Sequence, residues 1–148
     1  MALINKRFQD LLAKSSLKTL TNAEKSELIE YAGLFNRQIS YNRRFEYFTL
    51  IRQYLTEKLS PSQFRAKFLE MDKEDDEATD KLKKDFEQLS SFSITLELKR
   101  TDAFSKLLNL IYEHSISTLE FGPDYGISEN EFKVSIEEAL NSFSELFE

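Results

Sequence analysis

The chain has 148 residues, which is enough for one ordinary domain with a hydrophobic core. It contains no cysteine, which excludes disulfides, thiolate metal sites and a cysteine nucleophile. The formal net charge of -6 is unevenly distributed along the sequence. Residues 1–58 contain 10 Lys and Arg and 6 Asp and Glu, whereas residues 59–148 contain 10 Lys and Arg and 20 Asp and Glu. The acidic part argues against direct nucleic-acid binding and favours a basic partner.

No apolar run approaches the roughly 18 residues that cross a bilayer, so we expect a cytoplasmic protein with no membrane contact. Only 3 Gly and 2 Pro stand beside 31% charged residues, a composition that favours helices over strands joined by tight turns. Three capping boxes then predict helix starts, with Pro61 at the first helical position of the second: Thr21–Glu24, Ser60–Gln63 and Ser128–Glu131.

Apolar periodicity places the helices in chain order. The predicted ranges are 2–14, 22–38, 41–57, 61–72, 102–115 and 129–147. Residues 92–98 alternate like a strand, but they also continue a helical pattern from Leu82, and a lone strand would leave its backbone groups unpaired. We therefore favour a helix that reaches about residue 98. The fold class is all-α, an antiparallel bundle of six to seven helices in a single domain, residues 1–148.

The run Met71–Asp80 is the densest charge feature. We expect a segment between two helices, either as a solvated loop or as a docking surface for a basic partner. An EF-hand loop is excluded by pattern, since it needs alternate acids and a central Gly, so no metal is predicted. The acids of the run are Asp72, Glu74, Asp75, Asp76, Glu77 and Asp80.

Nothing in the sequence selects a catalytic residue, and we predict a non-enzymatic protein without a cofactor. His114 is the single histidine, and Glu113 beside it points about 100° away on a helix. We therefore interpret His114 as a helix-terminal or interface residue. Many carboxylates are present, but no pair is singled out for acid–base work.

A basic cluster near the N-terminus allows two interpretations. Arginines interleaved with tyrosines can bind phosphates and stack on bases. We prefer a helix whose tyrosines face the core and whose arginines pair with the acidic half of the chain. The cluster comprises Arg37, Arg43, Arg44 and Arg52 with Tyr41, Tyr47 and Tyr54.

Two of the three glycines lie in the stretch FGPDYGISENEF, residues 121–132. Gly122 and Gly126 can take a positive φ, and Pro123 prevents the preceding helix from continuing, which predicts a tight reversal into the last helix. Such a turn displays Asp124 and Tyr125 at its tip, where an acid and an aromatic ring can anchor a partner.

The order of elements over residues 45–148 resembles the bacterial self-protective colicin-like immunity family. The segment FTLIRQYLTEKLSPSQFRAKFLEM gives a helix, a turn, a capped start and Phe64-x-x-x-Phe68, and an aromatic–Pro–Asp turn leads into FKVSIEEAL. Residues 1–44 form an additional two-helix extension in front of this pattern.

The resemblance implies a protein that inhibits a basic toxin nuclease, such as one that cleaves tRNA, by presenting an acidic surface in place of nucleic acid. The implied partner contacts are the acids of the run 72–80 together with Glu120, Asp124, Glu129 and Glu131, and Tyr125 at the tip of the turn is added to them. The alternative is a helical adaptor or regulator that uses its basic N-terminal helices. We expect charge reversal at Arg43 and Arg44 to abolish adaptor function and to leave nuclease inhibition largely intact.

Overall fold

The protein is built from α-helices. The structure is a computed structural model that describes residues 2–94, 98–122 and 126–147, and in these ranges it contains seven helices and no strand. The helices are α1 (Ala2–Ser16), α2 (Asn22–Asn42), α3 (Arg44–Leu55), α4 (Pro61–Lys84), α5 (Phe86–Ser91), α6 (Leu98–Phe121) and α7 (Glu129–Phe147). The predicted all-α fold is confirmed.

All three predicted capping boxes are present. At the start of α2, the Thr21 hydroxyl accepts a hydrogen bond from the Glu24 amide, and the Glu24 carboxylate accepts one from the Thr21 amide, each at 3.1 Å. The same reciprocal bonds join Ser60 to Gln63 and Ser128 to Glu131. The sequence therefore located the starts of α2, α4 and α7.

Helix α4 is longer than predicted, and the placement of the acidic run in a loop was wrong. The helix continues through that run to Lys84. Five residues along one of its faces are buried, which keeps the helix packed while most of the acids face outward: Phe64, Phe68, Asp75, Thr79 and Leu82. No Gly or Pro interrupts the segment, and the lysines of its last turn complement the helix dipole.

The predicted continuous helix from Leu82 to about residue 98 was also wrong. The chain leaves the helical conformation at Asp85, whose side chain accepts a hydrogen bond from the Gln88 amide and so caps the short helix α5. Helix α5 ends at Ser91, and at this end Asn5 Nδ2 donates hydrogen bonds to the carbonyls of Leu89 and Phe92. Residues 95–97 lie outside the described residues.

The helices divide into two compact units. Unit 1 comprises Met1–Asn42 and Lys73–Thr95, so it joins the predicted N-terminal extension to a later part of the chain. Here α1 packs against α2 and α5, and the ring of Phe8 stacks on Phe35 with centroids 4.9 Å apart.

Unit 2 comprises Arg43–Asp72 and Leu96–Glu148. Tyr47 and Tyr54 are fully buried in unit 2, which confirms that these tyrosines face the core. The ring of Tyr54 stacks on that of Phe64 with centroids 4.2 Å apart. Helices α6 and α7 pack together. Gly122 and Gly126 have φ values of 89° and 79°, the predicted left-handed conformation at the turn between those helices.

Candidate partner-binding surface

Asp75 lies in the interior of unit 1, which removes it from the predicted contact surface. Only 1% of the residue is exposed, and its carboxylate accepts a hydrogen bond of 2.8 Å from the Ser40 hydroxyl. A buried carboxylate needs such donors to offset its loss of hydration. Asp75 therefore acts as a link between α4 and α2.

The remaining acids of the run form a surface of mixed charge. Glu74, Asp76, Glu77 and Asp80 are exposed on α4 in unit 1, whereas Asp72 is partly buried in unit 2. Asp76 accepts a hydrogen bond from the Asn36 amide at 3.1 Å, and Asp80 lies 3.4 Å from the Lys83 ammonium. The lysines interleaved with these acids on the same helix, Lys73, Lys81, Lys83 and Lys84, further reduce the negative field of this stretch.

Glu129 is the centre of a polar cluster inside unit 2. Its carboxylate accepts a hydrogen bond from the Tyr54 hydroxyl and lies 3.4 Å from Arg65 Nη1 and 3.9 Å from His114 Nε2. These partners come from α3, α4 and α6, so the carboxylate fixes the first residue of α7 to three other helices. Glu129 was predicted to contact a partner, but these internal donors occupy its carboxylate.

His114 belongs to the same cluster and lies inside α6, not at a helix end, because α6 continues to Phe121. Its imidazole stacks on the Phe132 ring with centroids 3.7 Å apart. Burial lowers the pKa of His114, while the carboxylate of Glu129 acts in the opposite direction. Burial is also the main reason that the pKa of Tyr54 is raised, followed by its hydrogen bond to Glu129.

The exposed faces of α6 and α7 combine acids with apolar side chains. Along α7, Glu131 and Glu137 flank Val134, which is 52% exposed. Along α6, Tyr112 and Leu119 are 40% and 67% exposed, and each is followed in sequence by an exposed glutamate. We use the name α6–α7 surface for these exposed residues of the two packed helices taken together: Tyr112, Glu113, Leu119, Glu120, Glu131, Val134 and Glu137.

Of the predicted contacts, Glu120 and Glu131 belong to the α6–α7 surface. Asp124 and Tyr125 lie outside the described residues. The other members of the surface were not predicted, although the signal was in the sequence. Tyr112 and Leu119 are seven residues apart, and so are Glu113 and Glu120, which puts the two members of each pair on the same side of the helix.

A groove with a volume of about 390 Å³ lies in unit 2 between α4 and α6. Its walls are mainly apolar, and it is lined by Ser62, Arg65, Ala66, Leu69, Thr118 and Leu119. Arg65 is the charged residue among those that line the groove, and its guanidinium lies 3.4 Å from the Glu129 carboxylate. Leu119 connects the groove to the α6–α7 surface.

Several cations of the N-terminal region form ion pairs inside the protein. The Arg7 guanidinium holds both oxygens of Glu27 at 2.7 and 2.8 Å, and Lys14 bonds Glu24 at 2.6 Å. The hydrogen bond from Lys14, together with the Thr21 amide, lowers the pKa of Glu24 to about 2. Arg43 pairs with Glu46, which lies one helical turn away, and its guanidinium also donates to the Met71 carbonyl.

The described part of the chain contains no group of three or more acidic or histidine side chains arranged to hold a metal ion. Within the same residues, every helix is too short or too polar to cross a bilayer.

No family model, curated protein or solved structure matches this chain. The resemblance to the colicin-like immunity family stays a prediction.

Proposed function

We propose that the protein is a non-catalytic, immunity-type binding protein that neutralises a basic, tRNase-like toxin nuclease by acidic mimicry of nucleic acid. One observation carries the proposal: the α6–α7 surface presents glutamates beside exposed apolar side chains. The carboxylates of Glu113, Glu120 and Glu137 take part in no hydrogen bond or ion pair within the described residues, so their charges remain available.

Electrostatics support a basic partner for unit 2. Its sequence contains 10 Lys and Arg against 15 Asp and Glu, a formal net charge of -5. A nuclease that cleaves tRNA needs a positive cleft for the phosphate backbone, and exposed carboxylates can occupy such a cleft. This complementarity gives fast, salt-sensitive association, while apolar residues such as Leu119 and Val134 supply affinity at the centre of the contact.

The adaptor alternative is less well supported. It needs cations of the N-terminal helices to be available, yet Arg7 and Lys14 are paired with Glu27 and Glu24 across α1 and α2. The double variant Arg43→Glu with Arg44→Glu separates the two functions. Nuclease inhibition survives this change if the α6–α7 surface is the site, and the adaptor function would not.

The test is capture of the partner from a lysate of the native host at low salt, with three forms of the protein as bait. The variant Glu120→Lys with Glu137→Lys reverses two charges on the α6–α7 surface. The matched control, Glu77→Lys with Glu87→Lys, reverses two exposed charges in unit 1. We expect the unaltered protein and the control to retain a basic protein that cleaves tRNA, and the α6–α7 variant to lose it.

Addition of the protein to the captured nuclease should suppress tRNA cleavage. The proposal is rejected if no basic protein is retained, if the retained protein does not cleave tRNA, or if the protein leaves cleavage unchanged. Equal retention by all three baits would reject the α6–α7 surface as the binding site.

A further inference from the structure

We infer that the groove between α4 and α6 of unit 2 is a docking site for one basic amphipathic helix of a partner protein. This inference rests on the proposed function, from which it takes a basic partner. It goes further because it names the secondary structure of the partner and the place where that element binds.

The residues that α4 contributes to the groove have the spacing that a docked helix needs, and Ala66 and Leu69 are its apolar members. Ser62, Arg65, Ala66 and Leu69 follow one another at i, i+3, i+4 and i+7 along α4 and form a straight wall. Leu119 projects from the facing helix and is 67% exposed. Helices that bind in grooves present anchors with this same spacing, and a volume of about 390 Å³ holds several such side chains.

The apolar stripe extends along α6 beyond the groove. Tyr112 lies seven residues before Leu119, which is two helical turns, or roughly 10 Å. Both side chains are well exposed, although equivalent residues elsewhere on α6, such as Leu107 and Ile111, are buried. A partner helix that lies along α6 can cover both positions with two of its own apolar residues.

The charges beside the stripe decide which helix fits. Glu113 and Glu120 follow Tyr112 and Leu119 directly, so they form a parallel acidic edge with the same seven-residue spacing. Arg65, the cation that lines the groove, is already paired with Glu129. A helix with apolar anchors fits the apolar stripe, and Lys or Arg residues at its flanks fit the acidic edge. An acidic helix would instead meet like charges.

The experiment uses a fluorescent synthetic probe and the full chain. The probe is a peptide of about 18 residues, roughly five helical turns, with Leu on one face and Lys on the other. A second peptide replaces every Lys by Glu. Binding is followed by fluorescence anisotropy with the unaltered protein, with Leu119→Lys, and with the control Ile29→Lys. Ile29 is 73% exposed on a helix of unit 1, close to the 67% of Leu119, so its substitution adds the same charge at a position that does not line the groove.

We expect the Leu/Lys peptide to bind the unaltered protein and the Ile29→Lys variant with equal affinity. Its affinity for the Leu119→Lys variant should be lower by at least about tenfold. The Leu/Glu peptide should not bind. The inference is overturned if the Leu/Lys peptide does not bind, if the Leu/Glu peptide binds as well, or if Leu119→Lys and Ile29→Lys behave alike.

The outcomes separate this inference from the proposed function. A captured nuclease that is inhibited equally by the unaltered protein and by Leu119→Lys would support the proposed function and reject the groove as its docking site. Peptide binding that depends on Leu119, in a protein that inhibits no nuclease, would keep the groove and reject the nuclease.

Discussion

Asp75 and Glu129 carry the same charge as their neighbours in sequence, but the fold supplies internal donors to both carboxylates. The Ser40 hydroxyl donates to Asp75, and Tyr54 and Arg65 bind Glu129. The sequence contained a signal for Asp75, since it lies seven residues after the buried Phe68 on the core face of α4. It contained none for Glu129, because Tyr54 lies 75 residues away and their contact depends on tertiary packing.

The variant Asp75→Ala tests the buried link between α4 and α2. It leaves the Ser40 hydroxyl without its acceptor, so we expect the free energy of unfolding to fall by about 1–3 kcal/mol. The matched control Glu77→Ala removes an exposed carboxylate two residues along the same helix and should change it by less than about 0.5 kcal/mol. Urea denaturation at neutral pH measures both, and equal effects would contradict a structural role for Asp75.

His114 should make the stability of the protein sensitive to mild acid. Burial lowers its pKa in the folded state, so the unfolded chain binds the proton first as the pH falls. The free energy of unfolding should therefore begin to decrease near the ordinary histidine value of 6.5 and continue to decrease until the pH passes the lowered pKa. The two charged groups that face the imidazole are Glu129, which opposes the shift, and Arg65, which adds to it.

The variant His114→Phe keeps the stack on Phe132 and removes the titration. Urea denaturation of both proteins at about pH 7.5 and about pH 5.5 should show a loss of stability in the unaltered protein that the variant lacks. Both pH values lie above the range in which Glu24 and Glu27 become protonated and stop contributing to stability, because the pKa values of these two residues are lowered. Identical pH dependence of the two proteins would contradict the assignment to His114.

The capped helix starts were predictable from sequence, whereas the ends of α4 and α5 were not, because the starts and these ends depend on different interactions. The boxes at Thr21, Ser60 and Ser128 are local, so four consecutive residues define each start. Helix α5 also carried a local signal, since Gln88 follows Asp85 at the capping distance, although it was missed. At the end of α5 the Leu89 carbonyl accepts a hydrogen bond from Asn5, more than 80 residues earlier, and no local pattern could reveal this contact.

The variant Ser128→Ala tests the start of α7, which carries part of the α6–α7 surface. It removes the hydroxyl that accepts from the Glu131 amide, so the free energy of unfolding should fall by about 1 kcal/mol. Ser26→Ala makes the same chemical change at an exposed position inside α2 and should be neutral or slightly stabilising. Thermal unfolding followed by circular dichroism compares them. A neutral Ser128→Ala would show that the box contributes little.

At the scale of the whole molecule, the fold redistributes the charge that the linear sequence divides so unevenly. The acidic stretch of α4 belongs to unit 1 together with the basic N-terminal helices, so that unit contains 10 cationic and 11 acidic residues. Unit 2 retains a net charge of -5. The charge difference between residues 1–58 and residues 59–148 therefore made the run 72–80 look like a stronger acidic binding site than it is in the folded protein. The negative charge that remains available is concentrated in unit 2.

The measurement that tests the central claim most directly is tRNA cleavage by the captured nuclease, titrated with the protein at salt concentrations from about 0.05 to about 0.5 M. We predict stoichiometric inhibition by the unaltered protein at low salt, which weakens as salt screens the charges, and at least about tenfold weaker inhibition by Glu120→Lys with Glu137→Lys. Inhibition that is insensitive to salt and to this double reversal would contradict acidic mimicry by the α6–α7 surface.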